Sequence, residues 1–108
     1  MRTVTKKDVA KRTAQELNES SEEPIKIYTA EMFVDAVFSA LRKILSEADP
    51  EIRIEIRDFG VFEVKKTKPK PKARNPRTGE IIYVPARRKT HFKAGKILKD
   101  ELKKDSFE

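Results

Sequence analysis

Along the chain the apolar positions follow two different periods, and each change of period marks a new element. Thr5 and Asp8 form a capping pair, after which Val9, Ala10, Thr13, Ala14 and Leu17 recur at helical spacing, predicting a first helix from about Lys6 to Leu17. A polar connection follows, Asn18-Glu19-Ser20-Ser21-Glu22-Glu23-Pro24, and then Ile25, Ile27 and Tyr28 predict a short extended piece. Thr29 is the expected N-cap of a second helix, with Glu31 in its first turn. Met32, Phe33, Ala36, Val37, Ala40, Leu41, Ile44 and Leu45 mark its apolar face through about Glu47. Val34 and Phe38 widen that face beyond what one small layer needs, so a second side is expected to be buried against another subunit.

The period then falls to two. Asp49-Pro50 ends the helix, and Ile52, Ile54 and Ile56 alternate with Arg53, Glu55 and Arg57, the pattern of a strand with one buried face. Asp58-Phe59-Gly60 predicts a tight turn with Gly60 at positive φ, and Val61, Phe62 and Val64 begin a second strand. That strand continues into a Lys- and Pro-rich limb reaching Asn75-Pro76-Arg77-Thr78-Gly79, where proline suits an early turn position and glycine a positive φ. The stretch Ile81 to Thr90 returns as the second limb of a hairpin arm, Phe92 re-enters the core, and Ala94-Gly95-Lys96 opens a last helix. Ile97, Leu98 and Leu102 form one face of that helix, and Lys96, Lys99, Lys103 and Lys104 the other; residues 105–108 are expected to fray.

The expected fold is α+β: two N-terminal helices, a three-stranded antiparallel sheet carrying a long basic β-arm, and a C-terminal helix. One domain is expected over residues 1–108, with a helical dimerisation part over 5–48, sheet and arm over 51–92 (the arm about 64–90), and the last helix over 95–104. Removing the arm from 108 residues leaves a body too small to bury a generous core alone, so oligomerisation is expected.

Charge gives the arm its meaning. From Val64 to Lys93 there are eleven Lys or Arg against Glu80 alone, a formal +10 that exceeds the +7 of the whole chain. Residues 1–50 carry a net −1 and residues 51–108 a net +8, so a polyanion is expected on the second half, nucleic acid before an anionic membrane surface. Lys66, Lys68, Lys70, Lys72 and Arg74 recur at every second position, which in an unbroken strand sets all five on one face. Pro69 and Pro71 share one parity and fit the outward side of a two-stranded ribbon. An isolated hairpin with like charges along it is marginal in water, so the arm is expected to be mobile until an anion orders it.

Other chemistries are excluded by what is missing. There is no cysteine, hence no disulfide framework or thiolate site, which fits a reducing cytosol. Met1 to Lys7 leads into no apolar signal segment and no run approaches the length of a membrane span. His91 stands alone without an arranged carboxylate or nucleophile, and no metal-ligand spacing is present, so neither enzymatic activity nor a cofactor or metal is expected.

Three motifs in order, Phe59-Gly60-Val61-Phe62, Arg74-Asn75-Pro76-Arg77-Thr78-Gly79-Glu80 and Phe92-Lys93-Ala94-Gly95-Lys96-Ile97-Leu98-Lys99, resemble the bacterial histone-like HU and integration host factor family. The resemblance covers nearly the whole chain. It implies an intertwined dimer, identical or paralogous in its subunits, whose helices form a base and whose sheets form a saddle. It further implies two arms that wrap double-stranded DNA along the minor groove in the bacterial nucleoid, within the cytoplasm, and bend it, Pro76 being the intercalating wedge. The dimer core is expected to contain Phe33, Val37, Phe38, Leu41, Ile44, Phe59, Phe62 and Phe92. DNA contacts are expected from Lys66, Lys68, Lys70, Lys72, Arg74, Asn75, Pro76, Arg77, Arg87, Arg88, Lys89, Lys93 and Lys96, with the start of the last helix as a phosphate seat. The alternative is an RNA-binding or ribosome-associated basic protein, for which the arm offers only Tyr83 as a stacking aromatic, with His91 near its base.

Ala86-Arg87-Arg88 is more similar to integration host factor than to HU. The chain departs from the family at Asp58, where glycine is usual, in its long inter-helix connection, and in an outgoing limb one residue longer. The extra residue has to be absorbed as a bulge.

Overall fold

The structure, a computed structural model, describes residues 1–20 and 22–103; Ser21 in the polar connection, Lys104 and the tail 105–108 lie outside the described residues. Its backbone divides into two units, residues 1–46 and residues 47–108.

The first unit is a pair of helices, α1 (Lys6–Ser20) and α2 (Ile27–Ser46). Thr5 caps α1 as expected: its N–H and hydroxyl both donate to Asp8 Oδ2, at 2.9 and 3.0 Å, and its carbonyl accepts Val9 N–H at 3.1 Å. Those two donors hold the Asp8 carboxyl below its ordinary range. The helix runs one turn past Leu17, and Ser20 Oγ donates to the Leu17 carbonyl at 3.3 Å, satisfying one of the last-turn acceptors.

The start of α2 differs from expectation. Ile27 and Tyr28 are helical rather than extended, and Lys26, not Thr29, is the capping position, because its carbonyl accepts the Ala30 N–H at 3.1 Å. The Ile25 N–H donates to Asn18 Oδ1 at 2.7 Å, so the polar connection is tied back to the end of α1 and delivers the chain to α2 earlier. The residues buried between the helices are small, Ala10 and Ala14 on α1 with Ala30 and Val34 on α2, and an exposed Lys6–Asp35 ion pair of 2.6 Å spans them. The broad face of α2 is thus turned outward, with Met32, Phe33, Val37, Phe38 and Ile44 all exposed and Leu41 half-buried.

The second unit holds a three-stranded antiparallel sheet in the order β1-β2-β5, formed by β1 (Ile52–Ile56), β2 (Gly60–Lys66) and β5 (Arg88–Ala94). Between β2 and β5 the chain makes the arm, β3 (Lys70–Arg74) against β4 (Ile81–Val84), and α3 (Lys96–Leu102) follows β5. Register aligns Ile54, Phe62 and Phe92 across the sheet and puts Ile52, Ile56 and Val64 on the same face. Phe59, Phe62 and Phe92 cluster there, with ring centroids 4.8 to 6.4 Å apart.

The β1–β2 turn corrects one expectation. Positive φ falls on Asp58 (65°), not on Gly60. Phe59 N–H donates to the Ile56 carbonyl at 3.1 Å, which makes Asp58 the third residue of a turn that favours glycine there. Gly60 is needed for space instead, since a Cβ there would lie 2.7 Å from the Phe92 ring. Gly79 does adopt the expected positive φ, 76°, at the arm tip.

Asp58→Gly should therefore stabilise the fold by about 1 kcal/mol, relief of a left-handed non-glycine residue less the added freedom of the unfolded chain. Gly60→Ala should destabilise it. Urea unfolding of the two variants against the parent checks both signs.

Candidate nucleic-acid interface

The arm begins where the β2–β5 ladder ends, at the Lys66–Arg88 rung. Beyond it, Pro69 on one limb and Pro85 on the other remove backbone donors, and neither 67–69 nor 85–87 is strand. One residue pair joins the two ladders. Thr67 N–H donates to the Arg87 carbonyl at 2.7 Å, Thr67 Oγ1 donates to that same carbonyl at 3.0 Å, and Arg87 N–H donates to Thr67 Oγ1 at 3.1 Å. The hydroxyl replaces a backbone acceptor at the elbow.

Past the elbow, Lys70 pairs with Val84, Ala73 with Ile82 and Arg74 with Ile81, so β3 holds one more residue than β4 between the first two rungs. This is the bulge that the longer limb requires, and Pro71 sits inside it, where no ladder donor is missed. It also overturns the single cationic face: Lys70 shares a face with Ile82 and Val84, and Arg74 shares the opposite face with Ile81 and Tyr83. Lys68 falls in the break before β3 and Lys72 in the bulge.

At the tip nearly every bond passes through Asn75. Its N–H donates to the Glu80 carbonyl at 2.7 Å, its carbonyl accepts Gly79 N–H at 2.8 Å, and its Oδ1 accepts Arg77 N–H at 2.9 Å. Asn75 thus shapes the loop that carries Pro76 and Arg77, both exposed.

Below the arm, the sheet face opposite the phenylalanines aligns Arg53, Glu63 and His91 in one row, Val61 and Lys93 in the next, and Lys65 with Lys89 beyond. Glu63, only 9% exposed, accepts Lys93 Nζ at 3.0 Å and lies 3.4 Å from Lys65 Nζ. The Lys93 ammonium holds the Glu63 carboxyl below its ordinary range, and Lys65 adds to that against the cost of burial. Lys66 and Arg88 point to the other side, and Arg88 Nη1 donates to the Ala48 carbonyl. The lysines of the polar face are therefore Lys65, Lys89 and Lys93, with Arg53 beside Glu63 on β1; counting alternate residues back from Arg74 selects Lys66 and misses Lys65.

The remaining expected residues are dispersed. Arg87 is held at the elbow by its backbone, and Lys96 is the first residue of α3. The helix it opens has seven residues, capped by Gly95, whose N–H donates to the Phe59 carbonyl at 2.8 Å. Among the described residues no group of three or more His, Asp or Glu side chains is placed to hold a metal, and no helix is long and apolar enough to cross a membrane.

A helix pair, a three-stranded sheet and a proline-tipped basic hairpin growing from that sheet define a class of small arm-bearing basic proteins. Within it, the family described as bacterial DNA-binding protein matches residues 4–103, and the chain belongs to that family, the HU and integration host factor group. It is 43% identical over 70 residues to the integration host factor subunit alpha of Buchnera aphidicola, covering 65% of each chain, so the match spans just under two thirds of that relative. It is 44% identical over 70 residues to the DNA-binding protein HU of Streptococcus mutans, covering 65% of this chain and 72% of the relative. In fold it is similar to the Anabaena HU–DNA cocrystal structure, with a TM-score of 0.74 at 23% identity, over 93% of this chain and 98% of that one.

Two predictions follow from this geometry. Because the folded Glu63 carboxyl is held low, the unfolded chain binds the extra proton first, and the stability this group adds is present above the ordinary glutamate range and lost as pH falls through its depressed folded value. Urea unfolding across that range should show an acid-side decline in the parent that Glu63→Gln reduces. At the elbow, Thr67→Val should accelerate amide exchange at Arg87 while leaving β2–β5 amides protected, and Thr67→Ser should restore protection.

Proposed function

We propose that the chain is a non-enzymatic architectural protein that binds double-stranded DNA as a dimer and bends it. The observation that carries this reading is the proline-tipped basic arm in a chain of this family, whose named relatives include HU and integration host factor. Each protomer is one functional unit, with residues 5–48 the helical dimerisation part and 51–92 the sheet and arm. Its place is the bacterial nucleoid, in the cytoplasm.

Burial supports the dimer. Among the described residues no large side chain is fully buried, whereas Phe33, Val37, Phe38, Ile44, Phe59 and Phe92 are each more than a third exposed. A second copy covers these together with Leu41 and Phe62, as an obligate interface of apolar core character does. Whether the partner is identical or a paralogue is set by the same surface.

Charge and shape support the DNA contact. Lys68, Lys70, Lys72, Arg74 and Arg77 follow the phosphates along a minor groove, Pro76 enters a base step in place of lost stacking, and Asn75 holds the loop that presents it. Unstacking costs about a few kcal/mol per step and is offset by the phosphate contacts of the bent duplex. At the base of the arm, Lys65, Lys89 and Lys93 extend the cationic track, and Arg87, Arg88, Lys66 and Lys96 flank it. The RNA-binding alternative gains nothing from the fold or from the relatives named above.

A gel shift of linear against kinked duplex over a salt series tests the reading. With ~6 to 10 phosphates neutralised per dimer, affinity should fall ~10³- to 10⁵-fold from about 50 to 200 mM salt, and a flat response would refute it. Pro76→Ala should lower the bend read by ring closure more than it lowers retention on DNA; equal bending by both proteins would remove the wedge.

A further inference from the structure

The arm carries an apolar strip beside its cations. Ile81 and Tyr83 alternate on β4, so they share one face, and each is 64% exposed. Ile82, on the other face, is 41% exposed and Val84 is half-buried there, with Ala73 and Lys70. The strip lies on the more open side of the hairpin, with Arg74 paired directly across from Ile81.

We infer that Ile81 and Tyr83 form a salt-independent contact surface for the sugar edge of the DNA minor groove, and that they favour deoxyribose over ribose. The inference rests on the proposed binding of duplex DNA by the arm. Two adjacent strands lie about 4.8 Å apart, so a polyanion whose phosphates engage Lys72 and Arg74 on β3 brings its sugars over β4. A +10 segment repels cationic partners, and the occupant of an apolar strip so flanked must itself alternate negative charge with hydrocarbon. A DNA strand does so, through phosphate and deoxyribose. An A-form RNA duplex instead displays 2′-hydroxyls across a wide, shallow minor groove, and hydroxyls set against Ile81 and the Tyr83 ring lose water without gaining a partner.

Such a contact has a signature that phosphate contacts lack. Released counterions set the slope of affinity against salt, whereas apolar burial shifts affinity equally at every salt concentration. The test compares the parent chain with an Ile81→Thr/Tyr83→Thr variant, threonine being chosen because it keeps strand propensity. Fluorescence anisotropy is read on a DNA duplex and on the RNA duplex of the same sequence over a salt series.

The expected result is a loss of affinity for DNA of about ten-fold at each salt concentration with an unchanged slope, and little change for RNA, so that the preference for DNA narrows. Unchanged DNA affinity overturns the inference, as does an equal loss on both duplexes. A changed slope, or an equal loss from Ile82→Thr on the opposite face, also overturns it, because the arm itself would then have been displaced. If the loss appears only on vesicles of anionic phospholipid, the strip belongs to a membrane contact and the inference fails. A parent protein that binds neither duplex with a salt-dependent affinity would instead refute the proposed function, a separate and recognisable outcome.

Discussion

The molecule is governed by a shortage of places to put its apolar surface. The side chains packed away in the helix pair are alanines and one valine, and the three phenylalanines of the sheet touch one another while Phe59 and Phe92 stay more than a third exposed. Burial is the main favourable term in folding, and a body of this size has little of it to spare. The proposed second copy converts the outward face of α2 from a liability into a core. The proposed bending of a duplex depends on that conversion, since a hairpin exerts leverage on a stiff duplex only from a body that does not yield.

Against the apolar shortage stands an excess of positive charge, and the chain manages it locally. On the polar face of the sheet, Glu63 sits among Arg53, His91, Lys65 and Lys93, so that Lys65 and Lys93, which would otherwise add to the like charge of that face, share one carboxylate. Along the arm there is no such acid before Glu80, and its shape rests on a few bonds: the Thr67 clasp, three rungs around a bulge, and the Asn75 loop. An arm built this way has its length and tip fixed while its two ladders meet at a single pair. That combination suits the bent duplex of the proposed function.

Much of this architecture is legible in the sequence because it rests on local periodicity. The Ile52–Ile54–Ile56 alternation gives β1 and its buried face, the Asn75 to Gly79 punctuation gives the tip, and one surplus residue in the outgoing limb gives the bulge. What escapes is set by contacts between distant residues. The early start of α2 depends on Asn18 reaching Ile25, and the real cationic face depends on strand register, which sends Lys66 and Arg88 one way and Lys65 and Lys89 the other. Thr67 looks like a spacer within a lysine run, and only its pairing with Arg87, twenty residues on, makes it an elbow. The Asp58 turn shows the reverse: a family-typical glycine is absent, yet the turn keeps its left-handed residue because the flanking β1–β2 pairing over-determines it.

With α2 covered by a second copy as proposed, one chain is half of a folding unit. Sedimentation equilibrium of the full chain without DNA tests this most directly. The expected mass is twice the 12.5 kDa of one chain, held on dilution to the lowest concentration at which the protein stays folded. A folded species of 12.5 kDa would contradict it, because the exposed face of α2 would then need no cover.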